Sequence, residues 1–243
     1  MQTTLFPVNE WQRICDDYYM SAPVKRTFSF FTAPLTNSVP SLELSLREFF
    51  FVISGKALSM KDEPLKALSQ RMFYHWQRYQ KLKEHYNRDE YNSDTLTQFK
   101  KYSLDYVTIA GVFKSKRSYD RIVSRSAYTM LNFNELEDTE HTFSQLQNDI
   151  YLSPALLYRS INGGIVAIMD MGVSKQPYYS VARNLCTYIS KKYHQTSINS
   201  RIVQYTCPTF VTYDPNAWLS PEILSEADAC MACRRKNSLL LAA

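Results

Sequence analysis

From Ala127 onward the chain runs through element types in an order that few folds accept. Ala127–Phe133 is a β-rich run, Thr139–Asp149 reads as a short helix, and Ala155–Ile161 and Ile165–Asp170 read as strands. The break between those two strands is Asn162-Gly163-Gly164, a strong hairpin signal. Tyr178–His194 follows as an amphipathic helix through Val181, Leu185, Tyr188 and Ile189, and Thr209–Tyr213 as a last strand. Strand, helix, strand, hairpin, strand, helix, strand is the split βαβ sheet of the ferredoxin-like and RRM-like folds, in the α+β class. Right-handed crossovers place the first and third strands side by side at the centre, with both helices on one face. The strand at Tyr106–Phe113 is expected to extend this sheet. The end of the first strand, the hairpin and the start of the last strand then share one end of the sheet. Asn132, Asn134, Ser160, Asn162, Gly163 and Cys207 are therefore predicted to gather there.

Before residue 106 the pattern is mainly helical. Val24–Thr32 reads as a strand and Pro34–Pro40 as a loop. Leu42, Leu46, Phe49, Phe50 and Ile53 form a helical stripe over Ser41–Ile53 that stops at Ser54-Gly55. Pro64–Tyr86 carries the longest helical signal, with Leu65, Leu68, Met72, Trp76, Tyr79, Leu82 and Tyr86 at steps of three and four. Residues 87–98 are polar and read as a loop, and Ser220-Pro221 opens a short helix. The organisation is an N-terminal strand and helical region (1–105), an α+β core (106–219) and a C-terminal helix and tail (220–243), together one compact domain.

With 45% hydrophobic residues and only 5 glycines in 243, the chain is a packed globular protein. No apolar run is long enough to span a bilayer, and the N-terminus lacks the apolar stretch of a secretory leader, so no membrane partner is expected. The 5 scattered cysteines point to a reducing, cytoplasmic setting. Cys230 and Cys233 form a lone CxxC in the tail, with only the distant His194 and Cys207 as further ligands, so no metal site is assigned to it.

Chemistry concentrates at the end of the first core strand. Asn132 and Asn134, spaced i and i+2, present both side chains on one face. Two aspartates there would hold a pair of metal ions for nucleotidyl transfer; two asparagines keep the geometry and lose the charge. Read alone, the pair is better taken as a strand end capping the turn into the next helix. The net charge of +5 is unevenly spread. Lys114, Lys116, Arg117, Arg121 and Arg125 face only Asp120 within their segment, and a second basic run covers Pro64–Arg88. The Lys114–Arg125 segment leads toward the strand carrying Asn132 and is the candidate nucleic-acid contact, with Tyr106, Tyr119 and Tyr128 as stacking partners.

Six motifs run in order along about Thr27–Trp218: Phe28-Ser29-Phe30-Phe31, Val52-Ile53-Ser54-Gly55-Lys56, the run from Lys100 to Phe113, Arg117, Ser126, and Phe210-Val211-Thr212-Tyr213-Asp214-Pro215. Together they resemble the primase-like domain at the N-terminus of virulence-protein-E-type proteins of Bacteroidetes, a branch of the archaeo-eukaryotic primase superfamily. The resemblance places the family's metal carboxylates at Asn132 and Asn134. It places the phosphate-binding loop at Ser160–Ala167, where the serine and first glycine remain and the second glycine and the lysine do not, and an arginine at Cys207. It implies a mobile-element or phage-type bacterial protein, weak and sequence-independent contact with DNA or RNA, and a helicase as natural companion. Loss of both carboxylates and the lysine leaves Asn132, Asn134, Ser160, Asn162, Gly163 and Cys207 as vestigial positions of an inactive nucleotidyltransferase without cofactor. The alternatives are an active primase–polymerase using Mg²⁺ through substituted ligands, and a protein-interaction scaffold on the same fold. Glu135 alternates to the other face, while Asp170 and Asp214 are expected at the far end.

Overall fold

The computed structural model describes residues 21–86, 93–134, 136–172, 178–193 and 205–224. Arg26 divides the first strand signal into β1 (Val24–Lys25) and β2 (Thr27–Phe31). β2 is buried on both faces, with Phe28, Phe30 and Phe31 all at 0% exposure, so it lies between two layers. The expected helix at Ser41–Ile53 is half strand: β3 (Leu42–Ser45) pairs with β2, and α1 (Leu46–Ile53) begins only after it. The reason is a capping box, in which Ser45 accepts from the Glu48 N–H and the Glu48 carboxylate accepts from the Ser45 N–H. A short 3₁₀ turn leads to α2 (Glu63–Tyr86), as the spacing predicts.

The expected loop after α2 is instead α3 (Ser93–Ser103), for its part within the described residues. Leu96 and Phe99, one turn apart, pack against Tyr79, Leu104 and Ile161, so a polar segment is helical because of the stripe it buries. The strand expected at Tyr106–Phe113 is two: β4 (Tyr106–Thr108) and β5 (Gly111–Phe113). Then come β6 (Ile122–Ser126), β7 (Tyr128–Phe133), α4 (Thr139–Gln147), β8 (Pro154–Arg159), β9 (Ile165–Asp170), α5 (Tyr178–Lys192), β10 (Thr209–Phe210) and β11 (Trp218–Leu219). A helical turn covers residues 221–224.

The class is α+β, with three small sheets in the orders β1-β6-β5, β10-β4-β2-β3 and β11-β8-β9-β7. β7 and β9, the first and third strands of the split βαβ order, pair antiparallel from Tyr128↔Asp170 to Phe133↔Ile165. Helices α4 and α5 share one face of that sheet, burying Phe143, Leu146, Leu185 and Ile189 against Leu131, Leu157 and Ala167. The fourth strand departs from expectation. β10 is two residues long and pairs with β4 in another sheet, so among the described residues β7 stands at one edge and β11 at the other, beside β8. Phe210 packs against Phe31 and Tyr106 on one side and Leu104 and Ile161 on the other, which draws the segment away from β7. The remaining face of the β7–β9 sheet packs on β2 and α1 in the main core, so residues before and after 105 share one interior.

Candidate functional site

The site is the end of the sheet where β7 stops and the β8–β9 hairpin turns. Register sets Asn132 opposite Val166, and Val166 opposite Tyr158, so the three share one rung across three strands. Tyr128, Met130, Tyr158 and Val166 face the core beneath α1 and β2, and alternation puts Asn132 on that same face. Within it the Asn132 Oδ1, the Tyr158 hydroxyl and the Ser160 hydroxyl are buried and have no hydrogen-bond partner. Burial pushes the Tyr158 hydroxyl pKa far above its ordinary value, so this phenol stays neutral.

The hairpin is tight for a stated reason. A Cβ on Gly164 would fall 2.2 Å from the Phe133 carbonyl oxygen and 3.2 Å from Asn134 Oδ1, so only glycine lets the turn close on the end of β7. Gly163 meets nothing within 4 Å but sits at φ +93, in the left-handed region glycine favours. The Ser160 N–H donates to the Gly164 carbonyl at 2.7 Å, and the Gly163 N–H to the Ser160 carbonyl at 2.9 Å. Asn162 is held from outside the sheet: its Oδ1 accepts from the Tyr79 hydroxyl of α2 at 2.9 Å and from Lys100 Nζ of α3 at 3.2 Å. Burial lowers the Lys100 pKa. Asn132, Asn134, Ser160, Asn162 and Gly163 thus do come together. No described contact brings Cys207 to them; its thiol lies 3.9 Å from the adjacent Pro208 carbonyl.

Among the described residues, two acids near this end, Asp214 and Glu140, are engaged by Arg159. Asp214, expected at the far end, is here, because the residues after β10 run back along the outer edge of β8. Its Oδ2 accepts the Arg159 N–H at 2.6 Å and its Oδ1 the Asn216 N–H at 3.0 Å. The Arg159 guanidinium lies on the Phe143 ring, 4.7 Å from its centroid, and donates to Glu140 from Nε at 3.0 Å and Nη2 at 2.6 Å. Hydrogen bonding to Glu140 and the nearby Asp214 charge hold Arg159 above its ordinary pKa, against its partial burial. Asp170 does lie at the far end, paired with Arg26 at 2.5 Å, beside a cavity of about 780 Å³ floored by Met169 and Leu185. Glu135, His194, Cys230 and Cys233 lie outside the described residues.

The basic segment is rearranged relative to expectation. Lys114–Arg121 closes the β5–β6 hairpin, and β6 separates it from β7. Arg117 turns inward, its guanidinium 4.8 Å from the Tyr106 ring centroid, and Arg125 Nε donates to the Ala22 carbonyl at 3.1 Å. Arg121 pairs with Asp120 at 3.1 Å, and Lys114 and Lys116 are exposed. The tyrosines are not free to stack: Tyr106 and Tyr128 are buried, and Tyr119 packs on Tyr205.

Sequence reasoning missed a second cluster of rings. Phe73 and Trp76 of α2 and Tyr213 lie within 5.0–6.3 Å of one another by ring centroid. Helical spacing assigns Trp76 to the core and carries no information on Tyr213, which arrives from a distant loop.

No helix among the described residues is long and apolar enough to cross a membrane. Comparison with protein-family models, with curated proteins and with solved structures gives no match.

Proposed function

We propose that this chain is a primase-like module of a bacterial mobile element that associates with DNA or RNA and carries out no nucleotidyl transfer. The supporting observation is the chemistry at the end of β7. Carboxamides stand at Asn132 and Asn134, and two carboxylates near the hairpin, Glu140 and Asp214, are committed to Arg159. An Asn oxygen can ligate Mg²⁺ but supplies no charge, and phosphoryl transfer depends on metals held where charge develops. The hairpin that would cradle a phosphate has its Asn162 side chain bound to Tyr79 and Lys100 instead. A helicase is the companion suggested by the sequence motifs.

What remains is a surface for a polyanion. Contacts of this kind neutralise phosphates, so affinity is weak and falls with salt; dissociation constants on the order of 10⁻⁴–10⁻⁶ M are expected at physiological ionic strength. The test is fluorescence anisotropy of a labelled single strand across a salt series. Binding with a negative salt slope supports the reading. Absence of binding at the lowest salt overturns it and favours a protein scaffold.

A further inference from the structure

Helix α2 carries five Lys or Arg (Lys66, Arg71, Arg78, Lys81, Lys83) against Glu63 and Glu84, and its exposed aromatics sit among them. Phe73, 36% exposed, lies nearly parallel to Trp76 at an interplanar angle of 18° and a centroid distance of 6.3 Å. Tyr213 meets Phe73 at 5.0 Å and Trp76 at 5.8 Å. Both of the latter rings are partly exposed.

The cluster is pinned. On either side of Tyr213, the Val211 N–H donates to the Asp105 carbonyl at 2.9 Å and the Asp214 N–H to the Ile53 carbonyl at 2.8 Å. Gly55 leaves room for the phenol: a Cβ there would fall 2.9 Å from the Tyr213 hydroxyl oxygen. Rings fixed in this way lose little further freedom when a flat partner lands on them.

Two lysines lie close in sequence to the residues of the cluster. Lys56 follows Gly55 and is exposed, with Nζ over the Phe50 ring at 4.5 Å. Lys66 precedes Phe73 by two turns on the same stripe and pairs only loosely, at 3.5 Å, with exposed Glu63. One turn beyond Trp76, Tyr79 reaches Asn162, so the rings sit beside the hairpin end of the sheet. Planar rings at the surface of a helix that carries cations are what a single strand recognises, bases on rings and phosphates on cations.

We propose that Phe73, Trp76 and Tyr213 form a base-stacking platform for single-stranded nucleic acid, with Lys56 and Lys66 meeting its phosphates. This rests on the nucleic-acid reading above and moves its main contact from the Lys114–Arg125 loop to α2.

The test uses the full chain and a labelled homopolymer single strand, read by anisotropy across salt. Phe73→Ala should weaken binding about tenfold with an unchanged salt slope, since a ring releases no counterions. Phe73→Tyr, which keeps a ring, should restore the affinity, and circular dichroism checks that both variants fold. An abasic strand of equal length should bind the wild type at least as weakly as the normal strand binds Phe73→Ala. Wild-type affinity in Phe73→Ala, or equal affinity for the abasic strand, overturns the platform. If in addition Lys114→Ala with Lys116→Ala abolishes binding, the platform alone falls and the loop is the contact. If the wild type binds no strand at the lowest salt, the nucleic-acid reading itself falls, and the platform with it.

Discussion

Two regions around the β7–β9 sheet treat buried polar groups in opposite ways. Between α4 and α5, Asp149 is fully buried and saturated. Its carboxylate accepts from the N–H groups of Tyr151 and Leu152, the hydroxyls of Tyr188 and Tyr193, and Lys192 Nζ. At the hairpin end, Asn132, Tyr158 and Ser160 each leave a buried oxygen without a partner. An unsatisfied buried polar atom costs about 1–3 kcal/mol, so a chain selected for stability alone would not keep three of them close together. The saturated cluster ties the end of α5 to the segment between α4 and β8.

Removing the buried polar group itself should therefore have opposite effects in the two regions. Asp149→Ala strands five donors, and the folded state should lose about 3 kcal/mol, read as a lower urea midpoint. A midpoint within error of wild type would remove the contrast between the two regions. The hairpin should come next. Gly164→Ala drives a Cβ to 2.2 Å from the Phe133 oxygen and should cost about 2 kcal/mol or more, against about 1 kcal/mol for Gly163→Ala, which meets no atom and strains only φ. Equal costs would mean the hairpin does not close on β7 as described. Smaller still, Tyr158→Phe removes a hydroxyl that has no partner and should be neutral or stabilising by up to about 1 kcal/mol. A clear loss of stability would show that the oxygen is satisfied after all.

The contrast has a pH signature. Burial alone would raise the Asp149 pKa, but Tyr193, Lys192, the Leu152 N–H and Tyr188 outweigh it and hold the carboxyl below its ordinary value. A folded state that binds its proton less readily than the unfolded chain gains stability above the unfolded pKa of about 3.9. That gain is lost as pH falls through the lower folded value. Acidification below about pH 4 should thus destabilise the wild type more steeply than Asp149→Asn, and parallel acid limbs in urea titrations would contradict this.

Some of this was legible in the sequence for physical reasons. Asn162-Gly163-Gly164 is a local signal, because the turn needs residues without a Cβ, and it fixed the β8–β9 pairing and its neighbour β7. The alternation in Tyr128–Phe133 placed Asn132 correctly on the face shared with Met130. Other features depended on distant contacts. Phe210 turns the last strand away from β7 only because Phe31 and Tyr106 receive it, and a two-residue strand carries no register of its own. Asp214 reaches the hairpin end through Arg159, 55 positions earlier in the chain, and Tyr213 meets Phe73 across 140. The basic run from Lys114 to Arg125 shows the reverse error. Charge is conspicuous in a sequence, but the inward turn of Arg117 onto Tyr106 is visible only in three dimensions.

The central proposal is that the carboxamides at the end of β7 leave this chain without nucleotidyl transfer. Primer extension tests it most directly, with a labelled primer on a template that the protein demonstrably binds, nucleotides, and Mg²⁺ or Mn²⁺. The account predicts a bound strand and no added nucleotide. Template-dependent incorporation that disappears in Asn132→Ala or Asn134→Ala would contradict it.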